Sequence, residues 1–466
     1  MPLLCTAAYL GLLLLAGYVL LGLLLGRAQR CLFEILALSG MLGGAAVPFL
    51  LFWLSLAGVK PSRAELLIIF LAALAALYPL RRWRGWVTPS RPAGGWSKAD
   101  WLLLPSLALA AWSIYTVTAF AYKYPLIEWD AVSTWGFKAK AFSYAALPGL
   151  HDIFHDYSLN FSHLDYPLLV PFLTSGVYAA LGEVNDTLGK SGVLFLFWSY
   201  ALFVYAAVRP LLPRCVAGAI TALAVSAPMV LRWAGQGTAD MPLTIFYAGS
   251  IYYLTRWIIG GTAGDAWLAA IFSAACFFTK NEGLALAVIN LITAAAFGWK
   301  ARPRPRYFRE LGGPALVALL VLLPWIIFRH SLPHIDENYP GHLNAANLGA
   351  NLGRVPWLLG RFYAWMFADP DSNYLWQLAL GAFLLGLFTR PSAAAWVLLF
   401  LVLGHLAAYL LAYIITPLPL DDLVFVTLKR LLLHALPAAI FIFAFSFSKI
   451  LPHPETTNAS AAALLT

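Results

Sequence analysis

The sequence predicts an all-α polytopic membrane protein, and three observations support this fold class. Of the 466 residues, 61% are hydrophobic and 11% are charged, whereas soluble domains contain about 45–50% apolar and about 25% charged residues. Many apolar stretches have the length that crosses a bilayer. Trp and Tyr cluster near the ends of these stretches, as in membrane aromatic belts. A soluble globule could not bury this much apolar surface, so soluble, fibrous and disordered classes are excluded.

We predict thirteen transmembrane helices from these stretches. In chain order they are Leu3–Gly26, Leu32–Gly58, Ala64–Leu80, Trp101–Tyr122, Ser191–Val208, Cys215–Leu231, Met241–Ile258, Ala266–Thr279, Leu284–Trp299, Leu311–Phe328, Tyr374–Phe388, Ala393–Ile415 and Leu431–Phe447. A further apolar segment, Tyr166–Leu181, contains Pro171. We interpret it as a re-entrant or interfacial helix, with a fourteenth span as the alternative.

Basic residues predict the orientation, because Lys and Arg collect in cytoplasmic loops. Two basic clusters lie at 81–98 and 300–309. Both fall in the cytoplasm if the N-terminus is outside and Tyr166–Leu181 does not cross. Segments 123–165 and 329–372 then face outward, with six of the nine histidines and nine of the 21 acidic residues. The net charge of +9 is therefore a topology signal, and we expect no nucleic-acid partner.

The first outer segment brings two carboxylates to the point where a span ends. Glu128 and Asp130 precede an amphipathic stretch with Trp135 and Phe142 on one side and Lys138 on another. Such a helix can lie along the membrane surface. A carboxylate there can deprotonate a hydroxyl group or hold a divalent metal against a phosphate. The alternative is that both acids only cap the following helix.

Asp165 stands at the end of the same segment, directly before Tyr166 and Pro167. Because proline starts a helix well, a capping role is again the simpler alternative. Ionisable residues are nearly absent from the middle of the predicted spans, where transporters usually place them. This distribution favours chemistry at the outer boundary between membrane and water.

Several motifs, in this order, resemble those of polytopic GT-C-fold glycosyltransferases, and in particular of the protein O-mannosyltransferase and aminoarabinose transferase group. The motifs are Glu-Trp-Asp-Ala at 128–131, Trp-x-x-Lys-Ala-Lys-Ala at 135–141, Asp-Tyr-Pro-Leu-Leu-Val-Pro at 165–171, Ala-Asp-Met-Pro-Leu at 239–243, Lys-Asn-Glu-Gly-Leu at 280–284 and the stretch from Thr427 to Pro437. The resemblance covers about residues 120–440. Asp421 and Asp422 stand where relatives often carry a Trp-His pair, so this stretch departs from the family pattern.

The resemblance implies a GT-C-type bundle that transfers a sugar, usually with inversion, from a polyprenyl-phosphate donor on the outer face. Asp130, with its neighbour Glu128, matches the acidic position of the first outer loop, and Asp165 matches the second acidic site. These three are the expected catalytic residues. Asp240 matches the start of the later helix and, with Asp130, is the expected site of a divalent metal, Mg²⁺ or Mn²⁺.

Lys280 resembles the basic residue that meets the donor phosphate, and the alternative is a snorkelling lysine paired with Glu282. Both belong to the expected substrate-binding set, together with Arg329, His330 and His163 from the outer segments. The second outer segment also has the polar and aromatic composition of sugar-binding loops, although any exposed loop shares it.

The expected organisation is an N-terminal part of extra helices, 1–98, a GT-C-like catalytic part, 99–448, and a tail, 449–466. We expect an integral protein of a bacterial inner membrane with its active site facing the periplasm. Its partners would be the lipid-linked donor, membrane lipids and a glycan, lipid or protein acceptor. Two other classes stay open at this point: a flippase or other transporter of lipid-linked sugars, and an enzyme similar to O-antigen ligases or polymerases.

Overall fold

The structure is a computed structural model, and it describes residues 1–90, 98–299, 303–333, 339–389 and 392–450. Most of these residues are helical. The strands found among them, Gln29–Arg30 and Thr88–Pro89, form one short parallel pair. The prediction of an all-α protein is therefore confirmed. Nearly all of the predicted tail at 449–466 lies outside the described residues.

The α-helices of the described chain are numbered α1 to α20. The first ten are α1 Pro2–Leu25, α2 Leu32–Leu56, α3 Arg63–Trp83, α4 Leu103–Lys123, α5 Phe137–Tyr144, α6 His151–His155, α7 Leu169–Leu181, α8 Ser191–Val208, α9 Arg214–Ser226 and α10 Pro228–Ala234. The others are α11 Asp240–Ile258, α12 Ala263–Thr279, α13 Glu282–Thr293, α14 Arg304–His330, α15 Tyr339–His342, α16 Ala345–Asn351, α17 Val355–Tyr363, α18 Leu375–Thr389, α19 Ala393–Ile415 and α20 Leu420–Ile450.

Shorter 3₁₀ and π segments flank several of these helices. They are Lys98–Leu102, Ala131–Gly136, Leu147–Leu150, Tyr157–Ser162, Leu188–Lys190, Ala294–Gly298, Leu352–Arg354, Ala364–Ala368 and Pro370–Ser372.

Within the described residues, eight helical segments are long and apolar enough to cross a membrane, or nine if the bent pair α9–α10 is one span. Each of the eight coincides with a predicted span. The pair bends by 58° where Pro228 begins α10, because proline cannot continue the hydrogen bonding of a preceding helix. The four remaining predicted spans form α11, α12, α13 and α18, which are shorter or more polar. The structure thus confirms an integral membrane protein of helical type.

The amphipathic stretch of the first outer segment forms the π segment Ala131–Gly136 followed by α5. Its apolar side is covered by α7, with Phe142 stacked on Phe172 at a ring-centroid distance of 4.2 Å. Lys138, which the pattern places on another side, is fully buried as well. This stretch therefore packs its apolar side against α7.

Charged side chains collect at two ends of the bundle. We call the end that contains Asp130, Asp240 and Arg430 the site end. The opposite end contains Arg30, Glu34, Arg256 and Asp265, and we call it the clamp end. Helix α11 connects them, because it begins at Asp240 and contains Arg256 in its last turn. Arg256 follows Asp240 by sixteen residues, which corresponds to about 24 Å along the helix axis. This length is close to the thickness of a bilayer core.

Candidate active site

Asp240 is the centre of the ion network at the site end. Its side chain is fully buried at the first residue of α11. Oδ1 accepts a hydrogen bond from Lys280 Nζ at 3.0 Å, and Oδ2 accepts from Arg430 Nη2 at 2.8 Å. A buried carboxylate is tolerated only when it is paired in this way. Two cations thus fix Asp240 from two different helical regions.

Arg430 joins Asp240 to Asp130, which lies in the segment between α4 and α5. Its Nη2 donates to Asp240 and also forms a short hydrogen bond with Asp130 Oδ2. The guanidinium lies 4.8 Å from the ring centroid of Trp233, a cation–π distance. Asp130 keeps 30% of its side-chain area exposed whereas Asp240 keeps none. Asp130 is therefore the carboxylate of this pair that a substrate can reach.

Lys280 is aimed at Asp240 by the tight turn between α12 and α13. Glu282 in the first turn of α13 pairs with the same ammonium at 2.9 Å. The turn depends on Gly283, because a Cβ there would lie 1.9 Å from the carbonyl oxygen of Cys276. The sequence-based pairing of Lys280 with Glu282 is present, and Asp240 is added to it.

Two residues of α20 complete the network, and sequence reasoning assigned neither of them a role. Arg430 and His434 are four residues apart, so they share one face of the helix. His434 Nε2 lies 3.4 Å from Asp240 Oδ1, and the hydroxyl of Tyr409 lies 2.9 Å from His434 Nδ1. The signal that could have found His434 is an ionisable side chain inside the predicted span Leu431–Phe447, and Arg430 directly precedes that span.

Glu128 supports Asp130 from the neighbouring position. Its Oε2 accepts a hydrogen bond from the backbone N–H of Asp130 at 2.8 Å. Burial and the nearby Asp130 carboxylate raise the pKa of Glu128 above its usual value. Glu128 therefore stabilises the turn that carries Asp130, as the capping alternative predicts. Its own carboxylate also lies close to that of Asp130.

A second cluster surrounds Asp165, which pairs with Arg329 at 3.4 Å. Lys138 Nζ donates to the carbonyl oxygen of His163 at 2.6 Å, and burial lowers the pKa of Lys138 to about 7. Burial also lowers the pKa of His163. The His163 imidazole interacts electrostatically with both clusters, with Lys138 and Asp165 on one side and with Asp130 on the other. The two clusters thus form one polar region.

An elongated cavity of about 1120 Å³ runs from this region down between α11, α12, α13 and α14. Asp165, Arg329 and His330 line it at the site end. The remaining walls are mostly apolar and rich in alanine; they include Trp257, Ala266, Ala269, Ala270, Ala274, Leu284, Ala287, Ala294, Leu311, Ala315, Ala318 and Leu322. From Leu311 to His330 the wall formed by α14 is about 28 Å long.

Several buried polar atoms of this region have no hydrogen-bond partner among the described residues. They are His163 Nδ1, Asp165 Oδ1, Asn281 Oδ1, Glu282 Oε2 and Arg329 Nε. An unpaired buried polar atom costs about 1–3 kcal/mol, so such a group of them suits a region that binds water or a polar ligand. The predicted second outer segment continues beyond Arg329 and His330, but residues 334–338 lie outside the described residues.

The predicted metal pair, Asp130 and Asp240, does not fit a divalent cation in this arrangement. The Arg430 guanidinium bonds to both carboxylates. Within the part of the chain that the structure describes, no group of three His, Cys, Asp or Glu side chains is placed to hold a metal ion. We therefore derive no step through a metal.

Fold and site together define a helical, polytopic membrane protein with a buried ion network beside a long apolar cavity. No protein-family model, curated protein or solved structure matches the chain significantly.

Proposed function

We propose that the protein is a membrane glycosyltransferase that moves a sugar from a polyprenyl-phosphate donor to an acceptor at the outer face of the membrane. One observation carries the proposal. A cavity of lipid dimensions ends in Arg329 and His330, beside an ion network that contains the accessible carboxylate Asp130. Apolar walls suit an isoprenoid chain, and a cationic end suits its phosphate.

The solvent exposure of the two carboxylates assigns their catalytic roles. Asp130, supported by Glu128, takes the proton of the acceptor hydroxyl, because it is the partly exposed carboxylate of its pair with Asp240. The acceptor oxygen forms a bond to the anomeric carbon while the bond from that carbon to the phosphate oxygen breaks. The lipid phosphate leaves as an anion, and a single displacement of this kind inverts the configuration.

Cations beside the network stabilise the charge that develops on the leaving phosphate. Arg329 has an unpaired Nε among the described contacts and only one long ion pair, at 3.4 Å with Asp165. It can therefore exchange Asp165 for a phosphate. Lys280 is held by Asp240 and Glu282. In this proposal its positive charge therefore stabilises the leaving phosphate through space, without direct contact. His163 and His330 contribute polar contacts to the sugar or the phosphate.

We further propose a GT-C-type bundle of thirteen spans in a bacterial inner membrane, with the site end in the periplasm. The eight long spans, the bent pair and helices α11, α12, α13 and α18 add up to thirteen crossings. Helix α7 has only 13 residues, fewer than α18 with 15 or α13 with its π continuation to Gly298, so in this proposal it does not cross. The basic residues at 81–84 and 304–309 lie at helix ends that point away from Asp130, which supports a cytoplasmic clamp end.

The decisive experiment is transfer by purified protein in vesicles. We expect radiolabelled sugar to move from a polyprenyl-phosphate donor, and not from a nucleotide sugar, to an acceptor preparation. Arg329→Gln should raise KM for the donor, whereas Arg361→Gln, an arginine that lies over Trp357 on α17, should leave KM unchanged. Donor that crosses the vesicle membrane without transfer would instead indicate a flippase.

Topology is tested separately in intact cells, in a background that lacks the four native cysteines. A cysteine at position 155 should react with an impermeant reagent, and one at position 304 should react only after lysis. Labelling at 304 but not at 155 would reverse the orientation and place Asp130 in the cytoplasm.

A further inference from the structure

Both carboxylate oxygens of Asp240 already bond to cations. Oδ1 is bonded to Lys280 at 3.0 Å, and Oδ2 accepts from both Nη2 and Nε of Arg430, at 2.8 and 3.2 Å. The same Nη2 also bonds to Asp130. One planar guanidinium therefore stands between two carboxylates, as a divalent ion does in a site that uses two acidic ligands.

A metal ion could enter only by displacing this guanidinium. Mg²⁺ demands near-octahedral oxygen ligands. Of the neighbouring acids, Glu282 is paired with Lys280 at 2.9 Å, and Glu128 Oε2 accepts from the backbone N–H of Asp130. Arg430 cannot lose its charge by deprotonation, and its side chain is 9% exposed against Trp233. The displaced cation would remain buried beside the incoming one, which is strongly unfavourable.

We propose that the Arg430 guanidinium takes the place of a divalent cation between Asp130 and Asp240, so that the centre works without a metal and Arg430 itself donates hydrogen bonds to the substrate. The first part depends only on the ion network. The second part rests on the proposed function.

Arg430 has a further N–H donor with which it can bind the substrate. Nη1 of Arg430 has no acceptor among the described residues, while Nε and Nη2 are occupied by the two carboxylates. Asp130, which shares Nη2, is partly exposed. A substrate oxygen near Asp130 would therefore meet a fixed N–H donor as well as the base. Fixed cationic donors of this type stabilise developing negative charge as a metal would.

The first test needs no enzymatic activity. Purified wild-type protein, treated with EDTA and titrated with Mn²⁺, should leave the electron paramagnetic resonance signal of free Mn²⁺ unchanged, as should Asp130→Asn. Stoichiometric binding to the wild type that disappears in Asp130→Asn would overturn the proposal, because the two carboxylates would then be metal ligands.

The second test uses transfer by Arg430→Ala. We expect a loss of at least about a hundredfold, the scale for removing one fixed donor, with partial recovery in millimolar guanidinium and none with Mg²⁺ or Mn²⁺. Recovery by a divalent metal would overturn the proposal. Wild-type transfer by Arg430→Ala would also overturn the proposal, because the guanidinium would then have no part in the chemistry.

Two further variants keep this test interpretable. Lys429→Ala changes the adjacent residue, whose ammonium pairs with Asp369 and Asp371, and should keep wild-type transfer. If Arg430→Ala does not fold, Arg430→Lys replaces it. The lysine keeps the charge but lacks the planar guanidinium and its Nη1 donor, so wild-type transfer by this variant would refute the role of the guanidinium. Absence of transfer in the wild type would refute the proposed function and leave the Mn²⁺ result standing.

Discussion

The two ends of the bundle hold ion networks of similar composition. At the clamp end, Arg30 and Arg256 face Glu34 and Asp265. At the site end, Arg430 and Lys280 face acids that include Asp130 and Asp240. Both networks join helices that are distant in sequence. Charge content alone therefore does not distinguish a structural network from a reactive one.

Solvent access distinguishes them, because polar atoms without a hydrogen-bond partner among the described residues occur at both ends, Arg256 Nε and Asp265 Oδ1 among them. At the clamp end, Asp265 caps α12 through Thr262, Glu34 also accepts from Tyr253, and each charged side chain is at most 14% exposed. At the site end, Asp130 is 30% exposed, and unpaired polar atoms border a cavity. The comparison teaches that the site-end network leaves acids partly exposed, while the clamp-end network uses its buried acids to cap a helix and to link helices.

The largest effect on transfer is expected from a change of the partly exposed acid, Asp130. Asp130→Asn keeps the shape of the side chain but removes its basicity, so transfer should fall by roughly 10²–10⁴-fold, the usual contribution of a general base. The melting temperature should change little. Transfer measured in vesicles decides the role: if Asp130→Asn is active and Glu128→Gln inactive, the base is Glu128, and if both are active, the site end is not catalytic.

The matching change at the clamp end should act on stability. Asp265→Asn leaves Arg30 and Arg256 with one acid, and breaking a buried ion pair costs about 3 kcal/mol or more. Thermal unfolding in detergent should show a clear decrease in melting temperature, while folded protein keeps its transfer rate. A selective loss of transfer at unchanged stability would show that the two ends do not differ in the way described.

A smaller effect is expected in the cavity. Ala318→Phe should fill part of it and raise KM for the polyprenyl donor about tenfold, since small changes in apolar fit alter binding by about 1–3 kcal/mol. Leu320→Phe, on an exposed position of the same helix, is the control. Equal KM values for both variants would place the lipid chain elsewhere.

The smallest effect concerns Lys138, whose pKa is lowered to about 7 by burial against about 10.4 in an unfolded chain. Between these values the unfolded state binds more protons, so the free energy of unfolding rises with pH, by at most about 1.4 kcal/mol per unit. Below pH 7 both states are protonated and this contribution no longer changes.

The melting temperature of the wild type should therefore increase from pH 7 to 9 relative to Lys138→Met. Lys140→Met serves as the control, because Lys140 pairs with Asp186 at a partly exposed position. Parallel pH profiles for the wild type and Lys138→Met would contradict the burial effect.

The sequence alone predicted the helical membrane fold, eight long apolar helices that the structure contains at the predicted positions, and the polar segment that carries Asp130. These features depend on local composition: an apolar stretch of bilayer length has one stable arrangement, since every backbone polar group must be bonded within the helix. The pairing of Lys280 with Glu282 was also predictable, because the two residues are close in the chain.

Only the tertiary structure decided which charges meet. Arg430 is separated from Asp130 by 300 residues and from Asp240 by 190. No local sequence pattern predicts that side chains so far apart in the chain are in contact. Helix packing also buries Lys138, and it encloses Asp240 fully between Lys280 and Arg430. Composition determines that helices enter the membrane, because transfer energies add along one segment. The neighbours of a buried charge depend instead on how separate helices pack, and this is why Arg430 came to lie where the sequence predicted a metal.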